Sequence, residues 1–147
     1  MTAASAADCA FCRVARGEAD EALVVLEDGQ TIAFLDHRPL FPGHSLVTPR
    51  AHVETLLDLP DEVLPELFSN ARLLARAMEA GLGADGSFVA INNRVSQSVP
   101  HLHVHVAPRR FKDGLRGFFW PRQKYESEAQ AEEVAAGLRE TVAALRG

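Results

Sequence analysis

The stretch His101-Leu102-His103-Val104-His105-Val106 alternates an imidazole with an aliphatic side chain over six positions. Side chains of an extended chain point alternately to its two faces, so residues two apart share a face at a spacing of roughly 6.5–7 Å. Three imidazoles therefore line one face, while Leu102, Val104 and Val106 turn the other way into a core. Pro100 biases Val99 towards extended backbone, which suits entry into such a strand. A lone histidine is commonly an ordinary polar residue. Three of the chain's six in strict alternation point to chemistry.

Two chemistries are open. Imidazoles on one face can hold a metal ion, or one ring can attack phosphorus while its neighbour hydrogen-bonds the phosphate oxygens. Geometry alone leaves both standing, and the surroundings favour phosphate. Arg109, Arg110, Lys112, Arg116, Arg122 and Lys124 follow the strand against one acid, Asp113. A basic stretch there can attract an anion. Upstream, Asn92-Asn93-Arg94-Val95-Ser96-Gln97-Ser98 offers side chains and amides that donate to an oxyanion.

The rest of the chain supplies a frame for that strand. Leu23–Glu27 and Thr31–Leu35 predict two short strands joined by Asp28-Gly29. The turn-rich Arg38-Pro39-Leu40-Phe41-Pro42-Gly43 leads to a third, Ser45–Thr48. After Pro60, Leu64, Leu67, Ala71, Leu74 and Met78 recur at helical spacing up to Gly81, a candidate cap. Phe88–Ile91 and His101–Val106 predict two more strands. Ser127 with Gln130 resembles a capping box, and Val134, Leu138, Val142 and Leu145 form one face of a last helix. The order implies an α+β domain: an antiparallel sheet of about five strands with a central helix and a C-terminal helix. The N-terminal segment around Cys9 and Cys12 reads as unstructured.

A length of 147 residues suits a single domain, 1–147, and 47% hydrophobic residues can fill its core. The net charge of −5 argues against general nucleic-acid binding. No apolar run approaches the roughly 18–20 residues that span a membrane. The start, Met1 to Asp8, is too short and uncharged for a secretory signal. These features lead to the expectation of a cytoplasmic protein, in whose reducing surroundings Cys9 and Cys12 form no structural disulfide.

Gln97-Ser98-Val99-Pro100-His101-Leu102-His103-Val104-His105-Val106-Ala107-Pro108-Arg109 resembles the signature of the histidine triad (HIT) family. Further segments resemble the family in the expected order: Cys9-Ala10-Phe11-Cys12, Ala33-Phe34-Leu35-Asp36, and Pro42 to His52. Together they cover about residues 8–110, leaving an aromatic and basic segment and a helix over 111–147. The resemblance implies a HIT-like fold and a reaction at the α-phosphate of a nucleotide derivative. The substrate would be a nucleoside phosphoramidate, an adenylylated amine or a dinucleoside polyphosphate, with a purine, AMP-like ligand. His103 would be the nucleophile, forming a nucleotidyl-histidine that water resolves. His105 would hydrogen-bond the phosphate and help protonate the leaving group. Asp36 would hold the ribose hydroxyls, Gln97, Ser98 and Asn92 would contact substrate, and His44 would lie beside the triad and orient a ring.

The resemblance to a zinc-binding, Hint-like branch implies one structural Zn2+ per chain on Cys9, Cys12, His52 and His101, a closed set with no open position for catalytic water. It also implies a homodimer. Three departures stand out: Ser96 replaces the usual Gly before the Gln, the Asn-containing loop is short, and Pro100 replaces a residue with a backbone N–H. Gly117-Phe118-Phe119-Trp120-Pro121-Arg122 offers either a wall for a base, a dimer contact or simple packing. Two other functions compete: a nucleotide-binding regulatory protein with little turnover, and a metal-dependent hydrolase with all three triad histidines on a catalytic metal.

Overall fold

A computed structural model describes residues 6–116 and 122–147, and the chain divides into two units, Met1–Asp113 and Gly114–Gly147. The first unit contains, in chain order, helix α1 (Ala10–Ala15), strands β1 (Val24–Glu27), β2 (Thr31–Leu35) and β3 (Ser45–Pro49), helix α2 (Leu64–Leu82), and strands β4 (Gly86–Ala90) and β5 (Val104–Arg109). The strands form one sheet of order β1-β2-β3-β5-β4, antiparallel at every pairing. The α+β architecture and the five-stranded antiparallel sheet with its central helix are as the sequence implies.

Every residue of β3 is buried, because both faces of the sheet are covered there. On one face Ala33, Val47, Val104 and Val106 pack against Leu67, Ala71, Leu74 and Met78 of α2. On the other, Ile32, Phe34 and Leu46 pack against Val14 and Phe11 of α1. Each large aliphatic side chain taken fully from water contributes about 1.5–3 kcal/mol. His105 pairs in register with Leu46, so its ring emerges on the α1 face. Alternation has thus placed the aliphatic residues under α2 and the histidine beside α1.

Four expectations need correction. The histidine strand begins at Val104 rather than His101. Its first residues leave the ladder: the His101 N–H donates to Val99 O at 2.8 Å, and the Leu102 N–H to Val53 O at 2.8 Å. The N-terminal segment is helical over Ala10–Ala15, where it read as unstructured. β4 begins at Gly86, two residues before the predicted Phe88. α2 follows a single turn at Asp61–Val63, tolerates Pro65 in its first turn, and ends at Gly83 (φ 67°) rather than Gly81.

The second unit contains helix α3 (Glu128–Arg146), capped by Ser127, whose hydroxyl accepts the Gln130 N–H at 3.0 Å. Gln130 Oε1 in turn accepts the N–H of Glu126 at 2.6 Å, one residue before the cap. The predicted apolar face of Val134, Leu138, Val142 and Leu145 is exposed. The aromatic run Gly117–Pro121 lies outside the described residues. Among the described residues, no helix is long and apolar enough to cross a membrane.

Candidate active site and metal centre

The β2–β3 connection shapes one side of the site. Gly43 has φ 105°, a backbone conformation that favours glycine. The turn brings the Leu40 N–H within 3.0 Å of His44 Nδ1. A backbone N–H can only donate, so Nδ1 accepts and the neutral ring carries its proton on Nε2. His44 Nε2 lies 3.0 Å from His105 Nδ1, which therefore accepts. That leaves the proton of His105 on Nε2.

His103 is fixed the opposite way. Its Nδ1 lies 2.7 Å from His101 O, and a carbonyl can only accept. The proton is on Nδ1, and Nε2 is left with a bare lone pair. The rings of His103 and His105 stand edge to face with centroids 4.9 Å apart, closer than the strand spacing because the side chains converge. The site thus pairs a free imidazole base with an imidazole N–H donor. Burial lowers the pKa of His44 and His103 below the ordinary imidazole value. Burial, helped by the neighbouring His103 and His44, holds His105 at about 4. All three rings are neutral near pH 7.

His103 and His105 open on a pocket of about 480 Å³, a size that takes a small-molecule ligand. Asp36 lines it, with Oδ1 accepting the Arg38 N–H at 2.8 Å and Oδ2 lying 3.8 Å from His44 Nε2. Ser98 lines it as well. Phe11 forms a wall, edge-on to Phe34 at 5.2 Å and to His103 at 5.0 Å. His44 does not reach the pocket. It is 4% exposed and acts through His105.

On the far side of Phe11, Cys9, Cys12, His52 and His101 bring one ligand atom each to within 4.8 Å of one another. Cys9 Sγ and Cys12 Sγ lie 3.4 Å from His101 Nδ1, and Cys12 Sγ lies 3.2 Å from His52 Nδ1. Tetrahedral zinc with sulfur at about 2.3 Å and nitrogen at about 2.0–2.1 Å has sulfur–nitrogen edges of roughly 3.5 Å. The donor set fits such an ion. His101 Nε2 donates to Pro49 O at 2.8 Å, so its Nδ1 lone pair is the one turned towards the thiols. Burial, and then the neighbouring Cys9, push the Cys12 thiol up to about 11. A thiolate there needs a cation beside it. Burial likewise holds His101 at about 4, in the neutral form that ligates.

The triad does not converge on one point. Among the described residues, His101 groups with the two thiols and His52, His105 groups with Asp36 and His44, and His103 joins neither set. This arrangement does not suit a single catalytic metal held by all three. Other sequence-predicted contacts are placed away from the pocket. Gln97 uses both ends on backbone, accepting the Arg94 N–H at 2.8 Å and donating to Glu54 O at 2.6 Å. Asn93 accepts the Leu56 N–H at 2.9 Å, and Asn92 is exposed outside the pocket lining. In the basic run, Arg109 pairs with Asp113 at 2.7 Å and Arg110 donates to Leu82 O at 2.6 Å. Arg38 supplies a cationic side chain to the pocket lining.

Sequence reasoning missed α1 as a pocket wall and missed the Leu40 N–H. Phe11, Val14 and Ala15 do carry i, i+3, i+4 spacing, but six residues are too few for that signal to stand out.

Comparison with known proteins points the same way. The pattern of the HIT domain family matches residues 16–112. An uncharacterized HIT-like protein of Mycobacterium tuberculosis is 41% identical over 109 residues, 73% of this chain and 75% of that protein. Adenosine 5'-monophosphoramidase HNT1 of Saccharomyces cerevisiae is 32% identical over 143 residues, 96% of this chain and 85% of that protein. The crystal structure of a Zn-bound histidine triad family protein from Mycobacterium smegmatis has a TM-score of 0.71 at 34% identity, covering 95% of this chain and 99% of that one.

Proposed function

The chain belongs to the HIT domain family, and from that premise we propose that it is a nucleotidyl hydrolase acting at the α-phosphate of an AMP derivative. The observation that carries this reading is the opposite tautomers of His103 and His105. Nε2 of His103 has the lone pair to attack phosphorus, forming a P–N bond as the bond to the leaving group breaks. Nε2 of His105 has the N–H that hydrogen-bonds the departing atom, which takes its proton from a water molecule, so His105 stays neutral. The adduct leaves His103 positively charged, and the hydroxide left by that water resolves it: the hydroxide goes to phosphorus and His103 leaves neutral. Asp36, with Oδ2 available in the pocket, accepts the ribose hydroxyls, and Ser98 is within the same lining for a phosphate oxygen.

Cys9, Cys12, His52 and His101 would hold zinc as a closed structural site. The ion would supply cohesion between α1 and the sheet, and no step of the reaction uses it. Family resemblance also carries a homodimer and a single domain over 1–147 into the proposal. The adenosine 5'-monophosphoramidase relative supports a phosphoramidate as the first substrate to try.

Incubation with adenosine 5'-phosphoramidate should give turnover, and acid quenching should trap an adenylyl adduct by mass spectrometry. His103→Ala should lose the adduct and at least about 10³-fold in turnover. Full activity in that variant would overturn the covalent route. Tight AMP binding with no turnover of any phosphoramidate would favour a binding protein instead.

A further inference from the structure

The pocket has a polar feature that neither the reaction nor the ribose uses. Asp20 and His37 both line it, and His37 Nε2 lies 2.9 Å from Asp20 Oδ2. A carboxylate can only accept, so the ring donates from Nε2, and a neutral ring then presents a bare Nδ1. The second carboxylate oxygen adds another acceptor. This wall is therefore rich in acceptors and has no N–H of its own to spare. Asp20 sits at φ 53° where the chain turns after α1. Around the pair, the lining is apolar and partly aromatic: Phe11, Val14, Phe34 and Leu46. A flat heterocycle packs on such a surface and is forced to satisfy its polar edge at the remaining polar wall.

We propose that the Asp20–His37 pair selects the base, accepting an N–H from the exocyclic amine of an aminopurine and disfavouring a keto group at that edge. The inference rests on the nucleotide reading of the pocket. A keto oxygen at that position would face two acceptors with no hydrogen between them, and the adjoining ring N1–H of a keto base would have to reach past that oxygen to pair with either. Arg38 is exposed and lines the same pocket with a donor group. Among the described residues, Asp20 and His37 are joined to each other by their side chains and neither is tied to the Arg38 side chain. It serves as the control.

Calorimetric titration with AMP and with IMP at pH 8 tests the proposal, because neither ligand turns over. AMP should bind about fivefold more tightly, the scale of one net hydrogen bond at a partly exposed site. His37→Phe and Asp20→Ala should each bring the ratio close to one, and Arg38→Ala should leave it. Equal binding by the wild type, a preference for IMP, or a ratio unchanged in both pair variants overturns the assignment while leaving the nucleotide site intact. A ratio abolished by Arg38→Ala alone transfers the role to Arg38 and equally overturns it. Failure of both nucleotides to bind overturns the nucleotide reading, and this inference with it.

Discussion

At the scale of single residues, two positions show what a sequence hides. Ser96 stands where the family usually has glycine, and its φ is 60°. The left-handed region costs a side-chain-bearing residue about 1–2 kcal/mol, which explains the usual glycine. The nearby Gln97 is polar beside the triad and invites assignment to the phosphate, yet both its ends are spent bracing that loop. Residue type alone cannot distinguish a brace from a ligand contact. His103 and His105 were legible because alternation fixes their face; their tautomers were not, because these depend on Leu40 N–H and His101 O. That dependence has a consequence. His44→Phe removes the ring that sets the His105 proton while filling the buried space. Turnover should fall about 10–100-fold, on the scale of losing a group that orients a functional histidine. The His103 adduct should still form, and nitrogen NMR should show the His105 ring in mixed tautomers while His103 keeps its own. Unchanged His105 tautomers would remove His44 from its positioning role.

At the scale of elements, α1 joins the two centres. The helix has only six residues and cannot persist alone. It is held by Arg50, whose guanidinium donates to Ala15 O at 3.0 Å and Asp28 O at 2.7 Å, and by Phe11 against Phe34. Cys9 and Cys12 flank Phe11, so whatever binds the thiols also positions the aromatic wall of the pocket. The cysteine pair was legible from its spacing; the helix between was not, since tertiary contacts rather than propensity create it. Metal analysis should find one zinc per chain, and Cys9→Ala should lose it. The metal-free protein should then bind AMP about tenfold more weakly, and AMP should raise metal affinity by the same factor, since linkage is reciprocal. Equal AMP affinity with and without metal would show that α1 stays docked on its packing alone.

At the scale of the whole molecule, the fold was legible because the sheet has distinct faces: aliphatic residues alternate into the α2 core and leave the rest of the pattern to the site. Folding around a neutral site then makes stability depend on pH. His44 is buried and His105 half-buried, with pKa values below the ordinary imidazole value, His105 at about 4, and desolvation is the main cause. In the unfolded chain both rings take a proton near pH 6.5. Between those limits the unfolded state binds protons that the native state refuses, so stability increases with pH. The contribution is fully present above about pH 6.5 and is lost as pH falls towards 4. Urea midpoints of the metal-loaded protein should therefore decline from pH 7 to pH 5. Acid also threatens the cysteine–histidine cluster, so the decline alone does not isolate the active-site rings. The discriminating quantity is the difference in slope between wild type and His105→Phe, both metal-loaded. A ring replaced by phenyl has no proton to refuse, and the variant's midpoint should be less sensitive to pH over that window. Identical slopes would mean that His105 titrates alike in the folded and unfolded chains, and that burial does not hold it neutral.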